Sequence, residues 1–262
     1  MSSQPETLRQ LRAFAAEIPA LYPAPAADYR GRVIDASTVR AYLNHEAARF
    51  AEIAAFLPPP PHPKARLLDI GTAYGFLPVL LNQTTAWQCE GLEMEENIPV
   101  YCRFAQARKL AIHAGRLGPA PLPFPDNAFD AILFSEVLEH LRLSPALVLR
   151  ELRRILAPGG FLLLTTPNVA RLANLIKLLL QRNILEEFPE NIESENITEH
   201  LTHIREYTMG EVCSLLQKHG FRIAAKRFSL CMEKEKPHAP IAALVPPWRG
   251  NLFVLAQKPA ES

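Results

Sequence analysis

The chain has 262 residues, 48% of them hydrophobic, and sets 28 basic side chains against 27 acidic ones for a formal net charge of +1. That length suits one soluble α/β domain with additions. A balance this even supplies no basic field to steer the chain onto nucleic acid. The four cysteines, Cys89, Cys102, Cys213 and Cys231, lack Cys-x-x-Cys spacing. Neither a zinc site nor a disulfide framework is suggested, no metal ligand set is read, and a reducing, cytoplasmic setting fits. No stretch reaches the length of a membrane helix, and Met1 to Leu11 lacks the apolar core of a signal peptide.

Leu8, Leu11, Phe14, Ala15 and Ile18 recur at helical spacing. They predict an amphipathic helix that ends before Pro19 and covers the sheet edge, a partner or membrane-surface helix being the alternative. A proline-broken link from Tyr22 to Tyr29 leads to a second helix over Ser37 to Leu57, with Val39, Tyr42, Leu43, Ala47, Phe50, Ile53 and Ala54 on one face. Pro58 to Pro61 stop it. Residues 1–62 therefore read as a helical cap and proline linker, and residues 63–262 as the core.

The core opens with an apolar strand from Arg66 to Ile70 that carries Asp69 and breaks into the turn Gly71-Thr72-Ala73-Tyr74-Gly75. The glycines allow backbone conformations and close approach that a side chain would forbid. A helix starts at about Phe76, and in open α/β sheets such a crossing is where ligands bind. A dinucleotide turn asks for a third glycine where Phe76 stands, which disfavours an NAD-dependent oxidoreductase. The next apolar run, Cys89-Glu90-Gly91-Leu92, ends in Glu93. A carboxylate there can accept both hydroxyl hydrogens of a ribose, or be no more than a solvated strand end.

Asn97 to Leu110 reads as a helix and Ile112 to Ala114 as a short third strand. A Pro/Asp/Asn turn at 125–127 then feeds a strand over Ala131 to Phe134, followed by Ser135-Glu136-Val137-Leu138-Glu139-His140-Leu141. A helix containing Glu151 to Leu156 is stopped by Pro158-Gly159-Gly160, and Phe161 to Thr166 is the next strand. In this order, Asp69-Ile70-Gly71-x-x-x-Gly75, Glu93, the Glu136 to Leu141 block and the Pro-Gly-Gly stop resemble the class I S-adenosylmethionine-dependent methyltransferases.

The resemblance implies a Rossmann-like seven-stranded sheet, mostly parallel with an antiparallel last strand. It implies S-adenosylmethionine as cofactor, held by Asp69, Gly71, Thr72, Ala73, Tyr74, Gly75, Glu93, Met94, Leu117, Ser135 and Glu136. N-terminal helices partly cover the cofactor in the related enzymes, so Tyr29, Arg30, Tyr42 and His45 are candidates for that cover. The acidic residue that usually meets the adenine amino group is missing here, where Arg116 and Leu117 follow Gly115. Backbone carbonyls and apolar packing are expected to serve, with Leu117 against the ring.

Further on, Val169 to Leu180 reads as an apolar helix with Leu172, Leu175, Ile176 and Leu179 on one face. The acidic connection from Asn183 to Glu206 reads as a substrate lid within an insertion at 169–206. Thr208 to His219 is a helix capped by Thr208 and closed by Gly220. Phe221 to Phe228 is a strand, Met232 to Pro247 a loop, and Asn251 to Gln257 a final strand antiparallel to its neighbour. Thr166-Pro167-Asn168 and His203 to Thr208 are similar to bacterial enzymes that methylate sugars or other small metabolites. The implied activity is methyl transfer to an oxygen of a small-molecule acceptor. A cofactor-binding regulator or scaffold without turnover is the alternative of another class. For the base that a hydroxyl acceptor needs, His140 and His203 lead, with His200 behind them, because imidazole titrates near neutrality. Either can instead only cap or hydrogen-bond its own segment.

Overall fold

A computed structural model describes residues 4–28, 31–185, 203–233 and 236–260. The strands are β1 (Ala26–Ala27), β2 (Val33–Ile34), β3 (Arg66–Ile70), β4 (Gln88–Glu93), β5 (Ala111–Ala114), β6 (Phe129–Ser135), β7 (Leu156–Pro167), β8 (Arg222–Ser229) and β9 (Asn251–Gln257). The first two form a small antiparallel ladder, and the other seven make one sheet in the order β5-β4-β3-β6-β7-β9-β8. From β5 to β7 neighbours pair in parallel, and β9 inserts antiparallel between β7 and β8. This is the mostly parallel, Rossmann-like sheet that the motifs predict.

Burial on both faces explains why the inner strands read as unbroken apolar runs. Phe253 and Leu255 of β9 enter one core, while Leu252, Val254 and Ala256 enter the other. The first core is closed by α1 (Gln4–Leu21), α2 (Ala36–Phe56), α3 (Phe76–Thr84), α4 (Ile98–Tyr101) and α5 (Arg103–Ala107). The second is closed by α6 (Pro145–Ile155) and α8 (Met209–Lys218). α7 (Leu172–Leu179) and α9 (Ala239–Leu244) lie in the long connections after β7 and β8. Among the described residues, no helix is long and apolar enough to cross a membrane.

Several elements depart from their expected bounds. α1 does not end before Pro19 but keeps its last turn to Leu21. Ile18 and Tyr22 are buried there, and the Tyr22 N–H reaches the Ile18 carbonyl at 2.9 Å, so packing holds the turn despite the missing proline donor. The helix expected over Asn97 to Leu110 is split at Cys102, whose thiol donates to the Ala73 carbonyl at 3.1 Å. α6 ends at Ile155, ahead of the Pro-Gly-Gly stop, which falls in an irregularity where β7 shifts register against β6. α7 starts three residues later than expected and buries Leu172 and Asn174, while Leu179 is 84% exposed. The expected loop from Met232 to Pro247 contains α9 and meets a 3-10 turn at Pro246–Trp248. Of the expected lid, residues 186–202 lie outside the described residues.

α1 is joined to the core through aromatic rings. Phe14 is 1% exposed, 5.0 Å from the Phe104 ring centroid and 6.4 Å from that of Phe76. Phe14→Ala should cost about 3–5 kcal/mol in a chemical denaturation experiment. A cost below about 1 kcal/mol would make α1 a peripheral attachment.

Candidate active site

The site grows from the turn that ends β3. Gly71 has φ 71°, and a Cβ there would lie 3.3 Å from Cγ2 of Val137. The turn is tied across to β4, because the N–H groups of Gly71 and Thr72 both donate to the Leu92 carbonyl, at 2.9 and 3.1 Å. Gly75, with φ 77°, starts α3, and a Cβ there would come within 2.5 Å of the Ala105 Cβ on α5. Gly75 therefore serves helix packing and lines neither of the two cavities described below. Tyr74 lines neither of them and is buried in an aromatic cluster with Tyr42 at 4.8 Å and Tyr101 at 5.3 Å.

Glu93, at the end of β4, is a hub rather than a solvated strand end. Its carboxylate accepts hydrogen bonds from the Ala73 N–H at 2.9 Å, the Met94 N–H at 3.0 Å and the Asn97 side-chain amide at 2.8 Å. Asp69 is buried beside it and accepts a hydrogen bond from the Thr72 hydroxyl at 3.0 Å. Burial is the main cause that pushes the Asp69 carboxyl up to about 7, with the charge of Glu93 adding to it and the Thr72 bond opposing.

Two cavities open beside this turn. The first, about 290 Å³, is lined by Gly71, Glu93, Met94, Leu117, Val137 and His140, among others. Leu117 thus stands where an aromatic ring can be packed, while Arg116 is paired with Glu96. The second, about 730 Å³, is lined largely by polar and charged residue types and contains Ala73, Ser135 and Glu136 together with His140 and His203. Gly71 and His140 belong to both. Thr72 and Asp69 face a crevice of about 20 Å³ behind the turn. Tyr42 and His45 of α2 line the larger cavity, whereas Tyr29 and Arg30 lie outside the described residues.

The floor of the larger cavity is a buried charge network that sequence patterning did not disclose. Arg49 on α2 pairs with Glu46 and, at 3.1 Å, with Glu136. Glu136 has φ 54°, and its carboxylate also accepts from the Thr165 hydroxyl at 2.8 Å. Positions 46 and 49 fall on the same helical face as Leu43, Phe50 and Ile53, so charges inside an apolar stripe were the available signal. The His140 and His203 rings are 5.0 Å apart at 69°. His203 Nδ1 lies 3.0 Å from Glu206, which Arg171 grips in bidentate fashion at 2.8 and 2.9 Å and Asn174 also contacts. Burial would raise the Glu206 pKa, but these hydrogen bonds and the Arg171 charge outweigh it and hold the carboxyl below its usual range. Arg171, Asn174 and Glu206 were not foreseen as a unit.

A methyltransferase-domain family profile matches residues 40–226. The chain belongs to the class I S-adenosylmethionine-dependent methyltransferases. Among curated proteins no relative matches. Its fold is similar to the putative methyltransferase of Haloferax volcanii solved in complex with the Trm112 activator, with TM-score 0.62 and 17% identity over 85% of this chain and 93% of that one. It is similar to a Thermotoga maritima methyltransferase, described as a possible histamine N-methyltransferase, with TM-score 0.55 and 18% identity over 85% and 95%. A third likeness, to Haemonchus contortus phosphoethanolamine N-methyltransferase 2, has TM-score 0.57 and 15% identity over 86% of this chain and 57% of that one.

In this methyltransferase the residues present fit S-adenosylmethionine. The space at Gly71 that a side chain would narrow opens into both cavities, and Glu93 and Leu117 offer a carboxylate and an apolar wall in the smaller one. Gly71→Val and Glu93→Ala should each weaken S-adenosylhomocysteine binding at least about tenfold in calorimetric titration, since a charge-assisted hydrogen bond contributes about 1.5–3 kcal/mol. Unchanged affinity in both folded variants would refute this site.

Asp69 also makes stability depend on pH. Its folded pKa of about 7 lies above the ordinary aspartate value of 3.8, so the folded state holds the proton more tightly. The contribution of Asp69 to stability is therefore greatest below about pH 4 and falls as pH rises to about 7. Asp69→Asn, uncharged throughout, should exceed the parent by up to about 4 kcal/mol at pH 8 and match it in acid, by denaturation without cofactor. Identical pH profiles would overturn the assignment.

Proposed function

We propose that the enzyme methylates an oxygen of a small-molecule acceptor, such as a sugar or another polar metabolite. The observation that carries this reading is the polar cavity of about 730 Å³ meeting the smaller one at Gly71 and His140. Its lining includes His45, Arg171, Lys177, Lys236, His238 and Asn251, which can donate hydrogen bonds to hydroxyl or anionic groups of an acceptor. The Haemonchus contortus neighbour, solved with phosphomonomethylethanolamine, is an example of the fold with a small polar ligand.

When bound, S-adenosylmethionine supplies a methyl group on a sulfonium centre. The chain's part is to bind the acceptor in line and make its oxygen nucleophilic, and much of the acceleration comes from positioning. A neutral hydroxyl is a poor nucleophile, so His140 and His203 are the residues assigned to prepare it. The segment returning from the expected lid is held beside them, because the Ile204 N–H donates to the Glu139 carbonyl at 2.8 Å.

His140→Ala and His203→Ala should each lower turnover about 100-fold or more, with S-adenosylhomocysteine affinity within a few-fold of the parent. The measurement is methylated product by mass spectrometry over a panel of hydroxyl, amine and carboxylate acceptors. Full turnover in both variants would remove the histidines from the mechanism and favour an acceptor that is already ionised. Turnover confined to amines would overturn the oxygen assignment.

A further inference from the structure

We infer that Glu139, His140 and His203 form a binding site for a divalent transition-metal cation at the point where the two cavities meet. One ligating atom from each of the three lies within 4.8 Å of the others. Glu139 and His203 line the larger cavity, and His140 lines both. The cluster joins a 3-10 turn, Leu138–His140, to a residue more than sixty positions later in the chain, so no local spacing reveals it.

The second, independent observation is an orphaned oxygen. Glu139 is 1% exposed, and its Oε2 accepts a hydrogen bond from the Thr166 hydroxyl at 2.9 Å. Among the described residues, its buried Oε1 has no hydrogen-bond partner, and it lies 4.0 Å from His140 Nε2. An unmet carboxylate oxygen inside a protein is costly, and a cation between it and the two imidazoles would satisfy it. Atoms around one ion sit about 2.0–2.2 Å from it. Contraction of the cluster by about 1 Å, within reach of side-chain rotation, brings the three donors to that separation.

The surroundings of His203 support the same assignment. Its Nδ1 faces the Glu206 carboxylate at 3.0 Å, and Glu206 is fixed by Arg171 and Asn174. A carboxylate that accepts a hydrogen bond from Nδ1–H leaves Nε2 as the lone-pair atom, the arrangement that orients metal-binding histidines. Glu136 stands nearby in the larger cavity but is already engaged by Arg49 and Thr165. Two imidazoles and one carboxylate favour a first-row transition ion over magnesium or calcium, which prefer oxygen donors throughout.

This inference rests on the oxygen-acceptor reading and gives it a chemical means. A cation here can take an acceptor hydroxyl oxygen as a further ligand and lower its pKa. The O–H bond then breaks, its proton passes to solvent water and its electron pair stays on the oxygen that must act as nucleophile. His140 and His203 act through the ion they hold.

The test uses the chelator-treated full chain titrated with Co²⁺ alone and followed by visible absorption. One Co²⁺ per chain is expected, with binding at least about tenfold weaker in both His203→Ala and the isosteric Glu139→Gln, and no competition from excess Mg²⁺. S-adenosylhomocysteine titration of the same samples reports that each variant is folded. Absence of stoichiometric Co²⁺ binding by the parent, or binding unchanged in both variants, would overturn the site. Because no acceptor enters this titration, its failure is distinct from a failure of the oxygen-acceptor reading, which the acceptor panel measures.

Discussion

The left-handed backbone at Gly71 is the constraint on which the site depends. Only because the chain can turn there at φ 71° do two successive N–H groups reach the Leu92 carbonyl and a third, from Ala73, reach the Glu93 carboxylate. The ends of β3 and β4 are thereby locked to each other. The same turn delivers Gly75 against Ala105, which seats α3 on α5, and Phe104 of α5 in turn receives Phe14 of α1. One residue without a side chain thus fixes a strand end, a helix start and, at two removes, the docking of the first helix.

Arg49 is the complementary device. Burying a guanidinium with two carboxylates carries a desolvation cost that close pairing offsets only in part. Glu136 also adopts a backbone conformation that residues with a side chain rarely occupy. An apolar filling would hold α2 against the sheet about as well, but it would not present Glu46 and Glu136 to the larger cavity. Strain and buried charge gathered at one strand end are the mark of a place kept for chemistry rather than for stability alone.

The sheet was legible because its signals are local: apolar runs with period-free burial, glycine turns, and the Thr208 cap with its reciprocal bond to Glu211. Gly71, Glu93, Met94 and Leu117, which line the smaller cavity, each lie within a few residues of a strand end, where local signals can be read. Tyr74 and Gly75 belong to the same motif, yet Tyr74 packs against Tyr42 and Gly75 admits Ala105. The partnership of Glu46 and Arg49 with Glu136, and the meeting of Glu139 and His140 with His203, were beyond the sequence. The helical period marks Glu46 and Arg49 as buried charges, but their partner across the fold is brought in by tertiary packing. Pro19 shows the reverse error: a strong local stop was overruled by the burial of Ile18 and Tyr22.

Pro58 to Pro61 are the most visible punctuation in the chain, and they invite a cut that would yield a minimal catalytic fragment. The Arg49 pairing makes that a poor place to divide the protein. A fragment starting after the prolines would lose the cation facing Glu136, along with the Tyr42 and His45 wall. The covalent boundary and the electrostatic boundary do not coincide. For fusion, circular permutation or fragment complementation, α2 belongs with the strand end whose charge it neutralises and α1 with the helices its ring packs against.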